Sequence, residues 1–320
     1  MAHSSKCSNE EFIRLCREVG NFHEISKILK TDLTCIFRRR RRLEKKYNIS
    51  LMPRSEKSPT MQLVIPDNKV RLELTIKNGC GIIGSDAHYW PGRKSTSHRA
   101  FVKAAKELKP SFIIMNGDDF DGSNLSRHPR IGWEKRPTQK EELEVLRERL
   151  EEIVKAAPRA KKIRTRGNHD IRYDSYLAAL APAVEGIPGM CLTDFLPDWI
   201  HGWSVMINEN FIVKHRYHNG IHAIYNNVLR SGISIATGHL HSLKVTPWSD
   251  YKGTRYGIDT GTLADILGNQ FLYTEDNPKN WRAGFAIVTF YEGKLLPPEL
   301  LEVINEEQGL VCFRGQVIKV

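Results

Sequence analysis

Five short motifs follow one another along this 320-residue chain, and nearly every one stands at the end of an apolar run. They are Asp86-Ala87-His88, Gly117-Asp118, Gly167-Asn168-His169-Asp170, a lone His215, and Gly238-His239-Leu240-His241. Ile82-Ile83 leads into the first, Phe112-Ile113-Ile114-Met115 into the second, Phe211-Ile212-Val213 into the fourth and Ile233-Ser234-Ile235-Ala236 into the fifth. Short apolar runs bounded by turn residues predict buried strands. The polar residues then sit where strands end, which is where open α/β sheets place their sites. Together they offer carboxylates, imidazoles and one side-chain amide, a donor set suited to divalent metals.

Spacing adds a geometric expectation. In an extended segment residues i and i+2 point the same way. His239 and His241, and likewise Asp86 and His88, are therefore expected to face one centre. A single such pair is most simply two polar residues on the wet face of a strand; two pairs plus Asn168-His169 in one chain favour a metal site.

The ordered motifs resemble those of the calcineurin-like metallophosphoesterases over residues 75–300. The resemblance implies an α/β fold, a four-layer αββα sandwich, and hydrolysis of phosphoesters at a pair of divalent ions. It assigns Asp86, His88, Asp118 and His241 to one ion, and Asp118, Asn168, His215 and His239 to the other, with Asp118 shared. Manganese is the expected ion, and the same donors suit iron, zinc or nickel. His169 is implied as the proton donor to the leaving oxygen, with Asp170 beside it to hold the ring and raise its pKa. Asp121 fits a supporting role behind the metal donors. His218 lies three residues after His215 and is the alternative fourth-motif donor; His215 closes its apolar run and is preferred.

Charge is uneven. The net charge is +11, and residues 1–60 alone hold 14 Lys+Arg against 7 Asp+Glu. Three helical patterns fit this end. Phe12, Leu15, Cys16 and Val19 mark the first, which Gly20-Asn21 stops; Ile25, Ile28 and Leu29 mark the second; Ile36, Phe37, Leu43 and Tyr47 mark the third, with Asp32 as its N-cap. Arg38, Arg39, Arg41, Arg42, Lys45 and Lys46 are expected to project from the third helix toward nucleic acid. Three helices ending in a basic one resemble a helix-turn-helix, whose last helix enters the major groove of DNA. RNA is the alternative polyanion. A basic head before such a domain is similar to proteins of phages and mobile elements.

The expected organisation is a basic module over residues 1–50, a linker and lead-in over 51–74, and a phosphoesterase domain over 75–320. Residues 174–203 are read as an insertion beside the site, and Val311 to Val320 as an edge strand. Six scattered cysteines without a Cys-x-x-Cys pair, a polar start and no long apolar stretch predict a cytoplasmic protein without membrane spans. The leading functional expectation is a nuclease or DNA-processing phosphodiesterase tethered to DNA by its head. Arg93, Lys94, Arg99, Lys103, Arg127, Arg130, Lys135 and Arg136 follow the first two motifs and are candidates to line its groove. The alternatives are a phosphatase or cyclic-nucleotide or other small-substrate phosphodiesterase, and a DNA-binding regulator with a non-catalytic phosphoesterase scaffold.

Overall fold

A computed structural model describes residues 7–19, 22–47, 49, 51, 61–65 and 70–320. The chain divides into two compact units, Met1–Thr60 and Met61–Val320. The expected stop at Gly20-Asn21 and the proline-containing stretch 52–60 lie outside the described residues. Among the described residues no helix is long and apolar enough to cross a membrane.

The described residues of the first unit form α1 (Asn9–Glu18), α2 (Phe22–Ile28) and α3 (Leu33–Tyr47). Ser8 caps α1 by accepting the Glu11 amide, and Asp32 accepts the Thr34 amide at the start of α3. Phe12, Cys16, Phe22, Ile25, Ile36 and Leu43 pack as one core. Three expected core residues are outside it: Leu15 is only half-buried, Ile28 is 56% exposed and Tyr47 46% exposed. Phe22, Ile25 and Leu29 share the inward face of α2 at helical spacing, which turns Ile28 to the side. Tyr47 ends α3 and carries the Lys46 ammonium against its ring instead.

Arg39 also departs from expectation. Its guanidinium donates to the Cys7 carbonyl at 2.8 Å and to Asn9 Oδ1 at 3.1 Å, and lies over the Phe12 ring. It is a clamp between α3 and α1, not a free phosphate contact. Arg40 is similarly held by Glu44 and by the rings of Phe22 and Phe37. Arg38, Arg41, Arg42, Lys45 and Lys46 are exposed and recur at helical spacing along α3.

The second unit begins with β1 (Met61–Val64), β2 (Arg71–Ile76), β3 (Gly79–Gly84), α4 (Thr96–Leu108), β4 (Phe112–Asn116), α5 (Gln139–Ala156), β5 (Lys161–Thr165) and α6 (Ile171–Leu180). It continues through β6 (Ile200–Gly202), β7 (Ser204–Ile207), β8 (Phe211–Lys214), α7 (Ala223–Ser231), β9 (Ser234–Thr237), β10 (Lys244–Asp250) and β11 (Gly253–Asp259). The last strands are β12 (Gly284–Tyr291), β13 (Lys294–Leu295), β14 (Glu299–Asn305), β15 (Leu310–Phe313) and β16 (Gln316–Lys319). One sheet has the order β1-β2-β7-β8-β9-β11-β10, the other β16-β15-β14-β12-β3-β4-β5-β6 with β13 beside β12. Part of the stretch read as lead-in is thus sheet, because alternating Leu72, Leu74 and Ile76 turn inward. The insertion at 174–203 ends as the edge strand β6 rather than as a free cover.

Strand alternation separates two cores. Ile83, Ile114, Ala286 and Val288 face the other sheet, where Leu74, Val205, Val213 and Ile258 meet them. Their neighbours Ile82, Ile113, Phe285 and Ile287 face away, against Phe101 and Ala105 of α4 and Leu146, Leu150 and Ile153 of α5. α7 covers the outer side of β9, β10 and β11. The result is a four-layer αββα sandwich. Parallel pairing of β3, β4 and β5 in one sheet, and of β8 and β9 in the other, aligns the carboxyl ends that precede all five motifs.

Arg39→Ala is expected to destabilise the first unit by about 1–3 kcal/mol, through two lost hydrogen bonds and lost stacking. Arg41→Ala should change it by less than about 0.5 kcal/mol, as an exposed substitution. Hydrogen exchange of the α1 and α3 amides in the full-length protein reads the difference.

Candidate metal centre

Asp86 and His88 stand just past β3, Asp118 just past β4, Asn168 and His169 past β5, His215 past β8, and His239 and His241 past β9. The donor atoms of Asp86, His88 and His241 lie within 4.8 Å of one another, as do those of Asp118, His215 and His239. His215 Nε2 joins the two groups, 3.0 Å from Asp118 Oδ2 and 4.0 Å from Asp86 Oδ1. A third group is formed by His88, Asp121 and His169. His218 is not among these groups; its backbone amide donates to Asn227.

The backbone brings the paired residues together differently from the extended geometry expected. Asp86, His88, Asp118, His239 and His241 all adopt positive φ, between 38° and 71°. Such conformations are strained for non-glycine residues and persist only where the surroundings impose them. Here the surroundings are specific. His239 N–H donates to Asp86 Oδ2 at 2.8 Å, and His169 N–H donates to Asp118 Oδ1 at 2.7 Å. Thr262 Oγ1–H donates to the Asp86 carbonyl, and Ser85 and Thr260 share a hydroxyl bond behind it. Glycine is required by close approach: a Cβ on Gly167 would overlap the Asp118 carboxylate, and one on Gly238 would lie 2.5 Å from Asp86 Oδ2.

The donors fit a divalent cation. His215 Nδ1 sits 2.7 Å from the Asn116 carbonyl and must donate to it, which leaves the Nε2 lone pair facing two carboxylates. That arrangement needs a positive charge between the partners. Without metal, only a proton supplies it: burial opposes the charged ring, yet Asp118 and Asp86 push the His215 pKa up to about 10. Burial likewise opposes the Asp86 carboxylate, while His241 and His215 hold its pKa down to about 2. Asn168 Oδ1 is buried with no hydrogen-bond partner, as is His241 Nδ1. An orphaned buried amide oxygen beside paired carboxylates is a plain cation donor.

His169 differs from these donors. Its Nδ1 is 3.1 Å from Asp121 Oδ1 and 3.0 Å from the Asp121 carbonyl, and Arg172 donates to its Nε2 at 3.1 Å. Both nitrogens are occupied, so no lone pair is left for a metal. Burial lowers its pKa, but the Asp121 bond and the Asp118 charge outweigh this, and the net shift is upward. Asp121 also accepts from His88 Nδ1 at 2.9 Å, which leaves His88 Nε2 toward Asp86. Arg172 was missed in the sequence. The available signal was its place three residues after His169, on the same face of the first turn of α6.

Asp170 does not hold the His169 ring. Its oxygens accept the amides of Asp118, Phe120 and Gly167, and pair with Arg164 at 2.8 Å. Arg164 is itself buried and also pairs with Asp119 at 2.7 Å. Asp170 therefore ties the second motif to the third. The reason is position: Asp170 opens α6 with its side chain turned back toward the loop after β4, while Asp121 approaches the ring from that loop.

Asp170→Ala should cost about 3–5 kcal/mol, because Arg164 and three amides lose a buried partner. A residue acting only on His169 would leave stability unchanged. Chemical denaturation of the full chain distinguishes the two.

The chain matches the calcineurin-like phosphoesterase family over residues 82–256. It is 28% identical over 171 residues to the Gene 54 protein of Mycobacterium phage L5, an alignment covering 48% of this chain and 65% of that protein. The chain thus spans just under two thirds of that relative. Superposition on Vps29 of Chaetomium thermophilum gives a TM-score of 0.37 at 10% identity, over 75% of this chain and 96% of the other. The family match covers more than half of the chain: the protein belongs to the calcineurin-like phosphoesterases, a family of metal-dependent hydrolases acting on phosphoester bonds.

Proposed function

We propose that the protein is a two-metal phosphodiester hydrolase acting on nucleic acid, a nuclease or DNA-processing enzyme, with the N-terminal helices as a helix-turn-helix-like DNA tether. The observation that carries the hydrolase reading is the paired donor groups around Asp86 and Asp118, with His169 beside them and withheld from the metals. Asp86, His88, His241 and Asp118 would hold one ion, and Asp118, Asn168, His215 and His239 would hold the other. Manganese suits this mixed set, and bound divalent ions would supply Lewis-acid activation of water and charge neutralisation on the phosphoryl oxygens.

The chain's own residues do the rest. Asp121 fixes the tautomer and angle of both His88 and His169. Once the incoming phosphate draws the Arg172 guanidinium toward its own oxygens, His169 Nε2 is free to take up a proton from solvent, and the ring, held through Nδ1 by Asp121, gives that proton to the leaving oxygen. Arg172 then offsets negative charge on the phosphate. The single amide among the donors, Asn168, keeps the negative charge around its ion low.

Support for a nucleic-acid substrate comes from the exposed face of α3. Arg38, Arg41, Arg42, Lys45 and Lys46 make one exposed cationic stripe, suited to phosphates in a salt-dependent way. Many candidate groove residues of the second unit are already engaged. Arg93 pairs with Asp265, Lys94 with Glu152, and Lys103 with the Lys319 carbonyl.

His169→Gln should retain both metals while turnover falls about 10²–10⁴-fold, the range for acid–base catalysis. The loss should shrink for a nitrophenolate leaving group. Equal losses for good and poor leaving groups would exclude proton donation. Metal content by mass spectrometry and turnover on two such diesters decide this.

Replacing Arg38, Arg41 and Arg42 together with Ala should weaken DNA binding and reduce its salt slope by about 2–3, while hydrolysis of a small aryl diester is unchanged. Binding measured at two salt concentrations tests the tether. An unaltered slope would remove α3 from the interface.

A further inference from the structure

A cavity of about 490 Å³ opens from the His169 side of the metal centre. Asp121, His169 and Arg172 border it; Trp90, Ile131 and Tyr273 give it apolar walls, and Gln270 adds an amide. Trp90 follows the Asp86–His88 loop, and Tyr273 belongs to the short 3₁₀ helix Asn269–Thr274. His169 serves the leaving group in the reaction proposed above, so this cavity receives whatever leaves. Its size falls in the range of about 300–1,000 Å³ that holds a whole organic ligand, far beyond what a small alcohol or water requires.

The wall nearest solvent is the segment 127–136. It is held at its base by Arg136, which donates to the carbonyls of Ser123 and Pro129 and pairs with Glu134. Its outer part is exposed and carries Arg127, Arg130 and Lys135 around Trp133, whose side chain is fully exposed. Arg127 and Lys135 are free to meet flanking phosphates, and Arg130 reaches Asn124. Aromatic walls next to scattered cations are the combination that binds unpaired nucleic-acid strands, with bases stacked on rings and phosphates on the cations.

We propose that this cavity is a nucleobase subsite: the base on the leaving side of the scissile phosphate stacks on Tyr273 and Trp90, so the substrate is single-stranded nucleic acid. A base paired in a duplex cannot enter without unstacking. The inference rests on the phosphodiesterase reading and narrows its substrate.

The test uses the full-length, manganese-loaded protein, thymidylyl-thymidine, and two analogues lacking the base on one sugar or the other. Uncleavable methylphosphonate versions of all three are titrated by calorimetry alongside. Removing one particular base should raise KM and Kd about 5- to 100-fold in the wild type and in Tyr273→Phe, the range for loss of one base stack. The same removal should matter clearly less in Tyr273→Ala, which keeps only the Trp90 ring, and should change the Trp90→Ala/Tyr273→Ala double variant by less than 2-fold, since both rings it stacks on are gone. Removing the other base should matter little in every one of these proteins. A single-stranded oligonucleotide should bind better than its duplex in the wild type, and Trp90→Ala should narrow that preference.

If both base-free analogues bind the wild type as tightly as the parent, or if Tyr273→Ala keeps the full base dependence, the subsite is wrong. Duplex and single strand binding equally would also overturn it. If no diester is hydrolysed, the enzymatic reading fails, and the calorimetric base dependence still decides the subsite.

Discussion

Arg164 is the interaction on which the site depends. It is buried, and its guanidinium binds Asp119 on one side and Asp170 on the other. Asp170 then gathers the amides of Asp118, Phe120 and Gly167. The loops after β4 and β5 are thereby tied to one charged cluster. A buried cluster of this kind is costly to desolvate and costly to break. Its value here is geometric: it fixes where Asp118 and His169 emerge.

The second constraint is crowding of like charge. Asp86 and Asp118 face each other through His215, with His239 and His241 beyond. Burial disfavours a charged His215 ring, but the Asp118 and Asp86 carboxylates overcome this and push its pKa up to about 10. A divalent cation held there would take the place of that proton. The positive-φ backbone at five donor positions is the conformational cost of that convergence, and the glycines beside them are the only residues that fit.

Division of labour follows from where basic side chains are left unpaired. In the second unit Arg93, Lys94 and Lys103 are each engaged by a local carboxylate or carbonyl, while Arg127, Arg130 and Lys135 lie exposed in the segment beside the aromatic cavity. On α3 Arg39 and Arg40 turn inward to build the helical core, while Arg38, Arg41, Arg42, Lys45 and Lys46 stay outward. Each unit thus carries exposed cations, on α3 in the first and in the segment beside the aromatic cavity in the second.

Periodicity was enough to read the strands before four of the five motifs and the three N-terminal helices, while the donor set came from the family resemblance; the structure gathers Asp86, His88 and His241 into one group and Asp118, His215 and His239 into another. The strands and helices follow from local pattern: apolar runs must be buried, and donors at their ends must converge where parallel strands end. Other features depend on contacts distant in sequence. Whether Asp121 or Asp170 holds His169 was decided by the direction of two side chains from different loops. Whether Arg39 meets a phosphate or Cys7 was decided by the packing of α3 on α1. The left-handed backbone at His239 and His241 arises from the Asp86 carboxylate, over 150 positions earlier in the chain. Residue type sets which chemistry is available, and only tertiary packing sets which partner a charged group meets, because in a buried site the nearest counter-charge prevails over the nearest neighbour in sequence.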